Sequence, residues 1–200
     1  MKTFGLTGGI GMGKSTAAAL LRARGVAVVD TDELARLVVA PGQPALAEVQ
    51  AAFGSDLVGP DGQLRREELA RIIFADAAAR QKLEAMLHPR IQQRWQSQLA
   101  AWRAAGEPVA VVVIPLLFET RAESSFAAVV CVACAAATQR ERLAARGWTP
   151  EQMAQRNAAQ LPVAEKMQRA NYVVWTEGSL DVHARQWARI LPVGCSGTGG

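Results

Sequence analysis

Apolar positions along the chain follow two alternating rhythms. Short continuous runs at Thr3–Thr7, Val26–Val29, Val109–Ile114, Val129–Cys134 and Tyr172–Trp175 read as strands. The continuous β-branched run Val26–Val29 predicts a strand covered on both faces, and Val109–Ile114, the most apolar, a central strand. Between these runs the pattern turns helical, at Lys14–Arg24, Glu33–Val39, Pro44–Phe53, Leu64–Ala75, Ala77–Leu87, Pro89–Ala105, Thr138–Arg146, Pro150–Gln160 and Leu180–Ile190. Gly25 and Gly147 close two of the helices, while Pro41-Gly42 and Pro60-Asp61-Gly62 mark turns. His88-Pro89 predicts a break. The residue before a proline is steered out of the α region, and proline suits the first position of a new helix.

This alternation of strand and helix predicts a parallel α/β sheet. The helical stretch from about 44 to 105 is too long for a plain crossover and is expected to project as a subdomain. The basic helices at 138–160 form a second expected projection. No internal repeat is present, and the glycine-rich stretch Pro192–Gly200 is expected to be a disordered tail.

Composition narrows the picture. With 200 residues, half of them hydrophobic, the chain can bury a core as one domain or one domain with insertions. A charged fraction of 20% and a mean hydropathy of +0.07 exclude a mostly disordered chain. The net charge of +4 admits an anionic ligand, yet no Lys/Arg block calls for nucleic acid. Val109–Phe118 and Phe126–Ala137, the longest apolar runs, are too short to span a bilayer. The N-terminal apolar stretch is interrupted by glycines and Lys14, unlike a signal peptide. Cys131, Cys134 and Cys195 are odd in number, so no disulfide framework is expected, and a reducing cytoplasm is the expected location.

Chemistry concentrates at Gly8-Gly9-Ile10-Gly11-Met12-Gly13-Lys14-Ser15, which fits G-x-x-x-x-G-K-[ST] between a strand and a helix. Glycines let successive backbone N–H groups turn inward on phosphate oxygens, and the helix start presents positive charge to the same anion. Lys14 would reach the β- and γ-phosphates and the Ser15 hydroxyl would ligate Mg²⁺. Asp30-Thr31-Asp32 follows the second strand, at the sheet edge where ligands bind in parallel α/β folds. A carboxylate there can accept a proton from an attacking hydroxyl or hold Mg²⁺, although Asp32 could equally cap the next helix. Arg142 and Arg146 share a helix face, suited to clamping phosphate or to pairing with neighbouring acids on a solvated helix. Cys131-x-x-Cys134 lies in an apolar strand without a second ligand pair and reads as core. His88 and His183 lack metal-ligand spacing, and Trp95 and Trp102 read as core. The strand Val109–Ile114 ends at Pro115 without a Walker B aspartate; Glu119 is the nearest acid. No N-K-x-D motif marks a guanine-specific GTPase. From these residues alone, kinases of other small molecules or nucleoside monophosphates and a non-enzymatic nucleotide switch stay open.

The order of the motifs resembles the dephospho-coenzyme A kinase family. The matching segments are Leu6 through Thr16, Val29-Asp30-Thr31-Asp32, Val38-Val39-Ala40-Pro41-Gly42 and Leu87-His88-Pro89. Pro115-Leu116-Leu117-Phe118-Glu119, Gln139-Arg140-Glu141-Arg142 with Arg146, and Asn171-Tyr172-Val173-Val174 continue the match. The resemblance implies an α/β P-loop NTPase fold, three layers α/β/α, with a five-stranded parallel sheet, a helical substrate-binding insert and a helical lid. The implied single domain spans 1–192: a core of about 1–40, 106–137 and 170–192, the insert at about 44–105 and the lid at about 138–165, followed by a disordered tail at 193–200. It also implies transfer of the γ-phosphate of ATP to the ribose 3′-hydroxyl of dephospho-CoA, with ATP as co-substrate and Mg²⁺. Gly11, Met12, Gly13, Lys14, Ser15 and Thr16 would hold ATP, and Ser15 the magnesium. Lys14, Asp32, Arg142 and Arg146 would be catalytic, Asp32 as base and the arginines from the lid. Asp32, His88, Pro89 and Leu116 would contact the acceptor. The implied partners are small molecules, with no nucleic acid or membrane, and a monomer is expected. Two positions depart from the family pattern. Val174-Trp175-Thr176-Glu177-Gly178 stands where Asp-Asn usually precedes the glycine, and Met12 stands where serine is common.

Overall fold

A computed structural model of the chain describes residues 1–191. The strands are β1 (Lys2–Gly8), β2 (Ala27–Asp30), β3 (Val109–Val113), β4 (Ala128–Ala133) and β5 (Tyr172–Trp175). They form one sheet in the order β2-β3-β1-β4-β5, with every neighbouring pair parallel. The chain leaves β1 toward one side and later fills the other, so the carboxyl end of β1 is the topological switch point at which parallel α/β sheets bind ligands. The chain divides into two compact units, Met1–Asp30 with the segment from Ala101 onward, and Thr31–Ala100.

In the first unit every residue of β3 is buried. Leu6, Val111, Val130 and Val132 of the sheet pack with Leu21 of α1 (Lys14–Ala23) and Trp187 of α9 (Leu180–Ile190) in one core. α1 ends in a Schellman motif. Gly25 takes a φ of 76°, its N–H donates to Arg22 O, and the Val26 N–H donates to Leu21 O, which turns the chain directly into β2. α6 (Ala136–Ala144) ends the same way at Gly147, with the Trp148 N–H reaching Leu143 O. α7 (Pro150–Ala158) opens on a capping box between Thr149 and Gln152. α8 (Val163–Arg169) follows it, a helix the sequence pattern did not announce.

The second unit carries α2 (Thr31–Val38), α3 (Pro44–Phe53), α4 (Arg66–Ala75) and most of α5 (Ala77–Ala104). Val38, Val49, Leu57, Leu69 and Leu83 form its core. Here one expectation fails: α5 runs unbroken through Pro89. Leu83, Met86, Leu87 and Ile91 keep helical spacing across the proline and all pack on this core. Burying such side chains is worth about 1.5–3 kcal/mol each, together more than the roughly 3 kcal/mol an interior proline costs. The Met86 carbonyl, in the turn that Pro89 disturbs, accepts a hydrogen bond from the Arg90 guanidinium.

Smaller differences occur at element ends. α2 begins at Thr31, two residues before its expected start at Glu33, and α6 begins at Ala136 before Thr138. Short 3₁₀ turns at Ser55–Leu57 and Glu123–Ser125 were not expected. Cys131 and Cys134 are free thiols in the core, and no cluster of metal-ligating residues occurs among the described residues. Cys195 and the expected tail lie outside them. No helix among them is long and apolar enough to cross a membrane.

Candidate active site

The candidate site is the loop between β1 and α1. Gly11 and Gly13 have φ values of 72° and 93°, in the left-handed region open to glycine. Close approach also requires glycine at these positions. A Cβ on Gly11 would lie 2.9 Å from Leu143 Cγ, and one on Gly13 would lie 3.2 Å from Thr176. The first amides of α1 lack intrahelical acceptors, and no side chain caps the helix. The result is a ring of N–H donors at the positive end of a helix. Met12 is 3% exposed and its side chain packs against Gly9, where a Cβ would lie 2.9 Å from Met12 Sδ. Lys14 folds back over the loop, its ammonium donating to Gly8 O at 2.8 Å and Gly9 O at 3.0 Å. Ser15 and Thr16, at the start of α1, are exposed.

Helix α6 and the end of β5 meet this loop. Arg142 donates to Thr176 Oγ1 at 2.9 Å and to Thr176 O at 2.6 Å. The Thr176 hydroxyl donates to Met12 O at 3.1 Å, and Gln139 Nε2 donates to Ile10 O at 2.7 Å. Thus Arg142 is brought to the loop through Thr176. Arg146, four residues on, is exposed and makes no side-chain hydrogen bond or ion pair with a described residue.

Beyond β3, Leu116 is half-buried and Glu119 is engaged in structure. Lys166, 0% exposed, sets its ammonium 2.8 Å from Glu119 Oε1 and 2.8 Å from Pro115 O. The same Glu119 oxygen accepts from the Leu161 N–H at 2.8 Å, and Pro115 O accepts from the Thr7 hydroxyl at 3.2 Å. Glu119, the acid nearest the end of β3, therefore ties the ends of β1 and β3 to α8. Asp32, His88 and Pro89 belong to the other unit. Asp30 closes β2 opposite Val113, which also faces Leu6 of β1. Asp32 follows two residues later, exposed in the first turn of α2. His88 is half-buried and Pro89 exposed on α5.

Sequence reasoning missed Gln139, Lys166 and the role of Thr176. Gln139 sits on a helix read only for its basic residues and Lys166 on a helix the sequence did not announce, and only the fold shows that both side chains turn inward.

The family model described as dephospho-CoA kinase matches residues 2–181. The chain belongs to the dephospho-CoA kinase family. It is 47% identical to a dephospho-CoA kinase of Anaeromyxobacter dehalogenans, over 96% of this chain and 91% of that one. Among solved structures, the protein TT1252 from Thermus thermophilus superposes with a TM-score of 0.81 at 35% identity, covering 96% of each chain. A dephospho-CoA kinase from Campylobacter jejuni shares the fold at a TM-score of 0.69 and 21% identity, covering 95% of this chain and 96% of that one.

Within this dephospho-CoA kinase family chain, Glu177 has a structural use. It accepts from the Ala135 N–H at 2.8 Å, the Thr138 hydroxyl at 2.7 Å and the Trp175 indole at 2.8 Å. Its carboxylate lies at the positive start of α6, and the bonds from Thr138, Trp175 and Ala135 hold its pKa below the usual range.

Proposed function

We propose that the chain transfers the γ-phosphate of ATP to the ribose 3′-hydroxyl of dephospho-CoA, yielding CoA and ADP. The observation that carries this reading is the glycine-turned, uncapped helix start with Lys14 lying across it, in a chain of this family. The amides at the start of α1 bind the phosphates, and Lys14 exchanges two carbonyl partners for the β- and γ-oxygens.

The 3′-oxygen forms a bond to the γ-phosphorus as the bond from that phosphorus to its bridging oxygen breaks. Asp32 is the proposed base that receives the hydroxyl proton. Its place just past the carboxyl end of a parallel strand supports that role. Arg146 supplies a lid cation to the transferring phosphoryl group, supported by its exposure and its lack of a side-chain partner among the described residues. Arg142 acts from the same helix, behind the loop. His88, Pro89 and Leu116 line the acceptor's path. The Ser15 hydroxyl, with a carboxylate of the Asp30-Thr31-Asp32 segment, would hold the magnesium that accompanies ATP, and the ion would offset phosphate charge. Mg²⁺ is commonly held by one or two protein oxygens plus substrate phosphates, without a protein cage.

The division of labour we propose is a phosphate-binding core, an acceptor-binding insert at about 44–105 and a lid at about 138–165. A monomer acting in the cytoplasm is the proposed form, a location that suits the free buried thiols Cys131 and Cys134.

Labelled ATP offered with dephospho-CoA, AMP, adenosine or no acceptor tests the function. Label should move to dephospho-CoA alone. Equal transfer to AMP, or hydrolysis without an acceptor, would overturn it.

A further inference from the structure

A loop that turns its N–H groups inward must turn carbonyls outward, and buried carbonyls need donors. The loop carbonyls divide into two sets. Gly8 O and Gly9 O accept from Lys14, which the proposed function calls away to phosphate, and Gly9 O also accepts from the Met12 N–H at 3.3 Å. Ile10 O and Met12 O take theirs from side chains outside the loop, Gln139 and Thr176. Both donors are nearly inaccessible, at 7% and 6% exposure. Neither has another task in the reaction.

Thr176 is more constrained than a lone hydroxyl. A threonine hydroxyl has one proton and two acceptor lone pairs. Arg142 donates into its oxygen at 2.9 Å and pins the adjoining carbonyl at 2.6 Å. With one side of the oxygen occupied by a donor, the single proton is directed at Met12 O, 3.1 Å away. Thr176 also packs against Gly13, where a Cβ would sit 3.2 Å from its side-chain atoms.

We infer that Thr176 and Gln139 are positioning residues that hold the phosphate loop open for ATP, with Arg142 fixing the Thr176 hydroxyl. Their bonds to Met12 O and Ile10 O keep those carbonyls turned away from the anion, whose oxygens they would repel. The lid helix therefore sets the loop's affinity for nucleotide from behind. This inference rests on the proposed function, since it assumes that the loop binds a triphosphate.

The test is calorimetric binding of ATP with Mg²⁺ to the full-length chain, well below its unfolding temperature. Thr176→Val keeps the shape and removes the proton; it should weaken ATP binding about tenfold. Thr176→Ser keeps the hydroxyl and should bind within about twofold of the parent. Gln139→Met removes the second donor and should weaken binding to a similar degree, which settles the matter should Thr176→Val not fold. In steady-state assays the KM for ATP should rise in both donor-deleted variants while the KM for the acceptor stays put. A residue that merely supports the fold would lower Tm and leave nucleotide affinity unchanged. Parental affinity in Thr176→Val and Gln139→Met, or a Thr176→Ser variant as weak as the valine, would overturn the inference alone. A parent chain that fails to bind ATP would overturn the proposed function as well.

Discussion

At the scale of single residues, the account rests on what each charged or polar group is bonded to. Lys14 bridges two carbonyls of its own loop. Lys14→Ala should therefore leave the fold intact and reduce phosphoryl transfer at least about a hundredfold, read as kcat/KM. Asp32→Asn should lower kcat about a hundredfold or more and keep ATP affinity near the parent value, because it removes only the proposed proton acceptor. Burial pushes the Cys131 thiol up to about 11. A thiol reagent at pH 8 should leave Cys131 unmodified in the native chain and label it after unfolding, as peptide mapping would show. Burial, with the nearby Arg142, lowers the pKa of His183. The folded chain thus prefers neutral His183. The stability this gives is complete above the unfolded value of about 6.5 and is lost as pH falls through the lower folded value. The urea midpoint should drop between pH 7.5 and 5.5, by less in His183→Leu than in the parent. The phosphate loop was legible because it is contiguous and its glycines answer a single steric demand. Gln139, Thr176 and Lys166 were not, since each acts on a backbone far away in sequence, and no local spacing encodes such a bond.

At the scale of elements, apolar runs located every strand among the described residues. β1, β3 and β4 are buried almost throughout and leave an unbroken hydrophobic signature, while the edge strand β5 keeps its apolar run with Tyr172, Val173 and Trp175 exposed. Helix ends were legible where glycine marks them, at Gly25 and Gly147. They were missed where tertiary bonds set them. α6 starts early under the Glu177 carboxylate, which accepts the Ala135 N–H and the Thr138 hydroxyl. α5 shows the opposite case, a local rule overridden by core packing. Pro89→Ala should restore an amide donor inside α5 and raise the unfolding free energy by about 1 kcal/mol or more, measured by urea denaturation. The Lys166–Glu119 pair joins α8 to the segment after β3. Lys166→Met leaves a carboxylate with one oxygen already buried and unpartnered, and should cost about 3–5 kcal/mol. The double variant Lys166→Met/Glu119→Gln should recover much of that loss. A double variant no better than the single one would show that the cost lies in lost packing.

At the scale of the molecule, the motifs that the sequence announced separately fall in two units. The first carries the sheet, the phosphate loop and α6; the second carries Asp32, His88 and Pro89. Donor chemistry was readable from spacing, because a triphosphate is recognised by backbone geometry that glycine makes conspicuous. Acceptor chemistry was not, because the proposed acceptor residues Asp32, His88, Pro89 and Leu116 lie far apart in the sequence, with no shared local pattern, and only resemblance to a family named that role. The phosphate's destination is therefore the most direct question to put to the protein. ATP and dephospho-CoA incubated with the chain, with the product analysed by phosphorus NMR, answer it. The account predicts a single new phosphomonoester on the ribose 3′-carbon, formed in equal amount with ADP. ADP without that ester, or phosphate on any other oxygen, would contradict it.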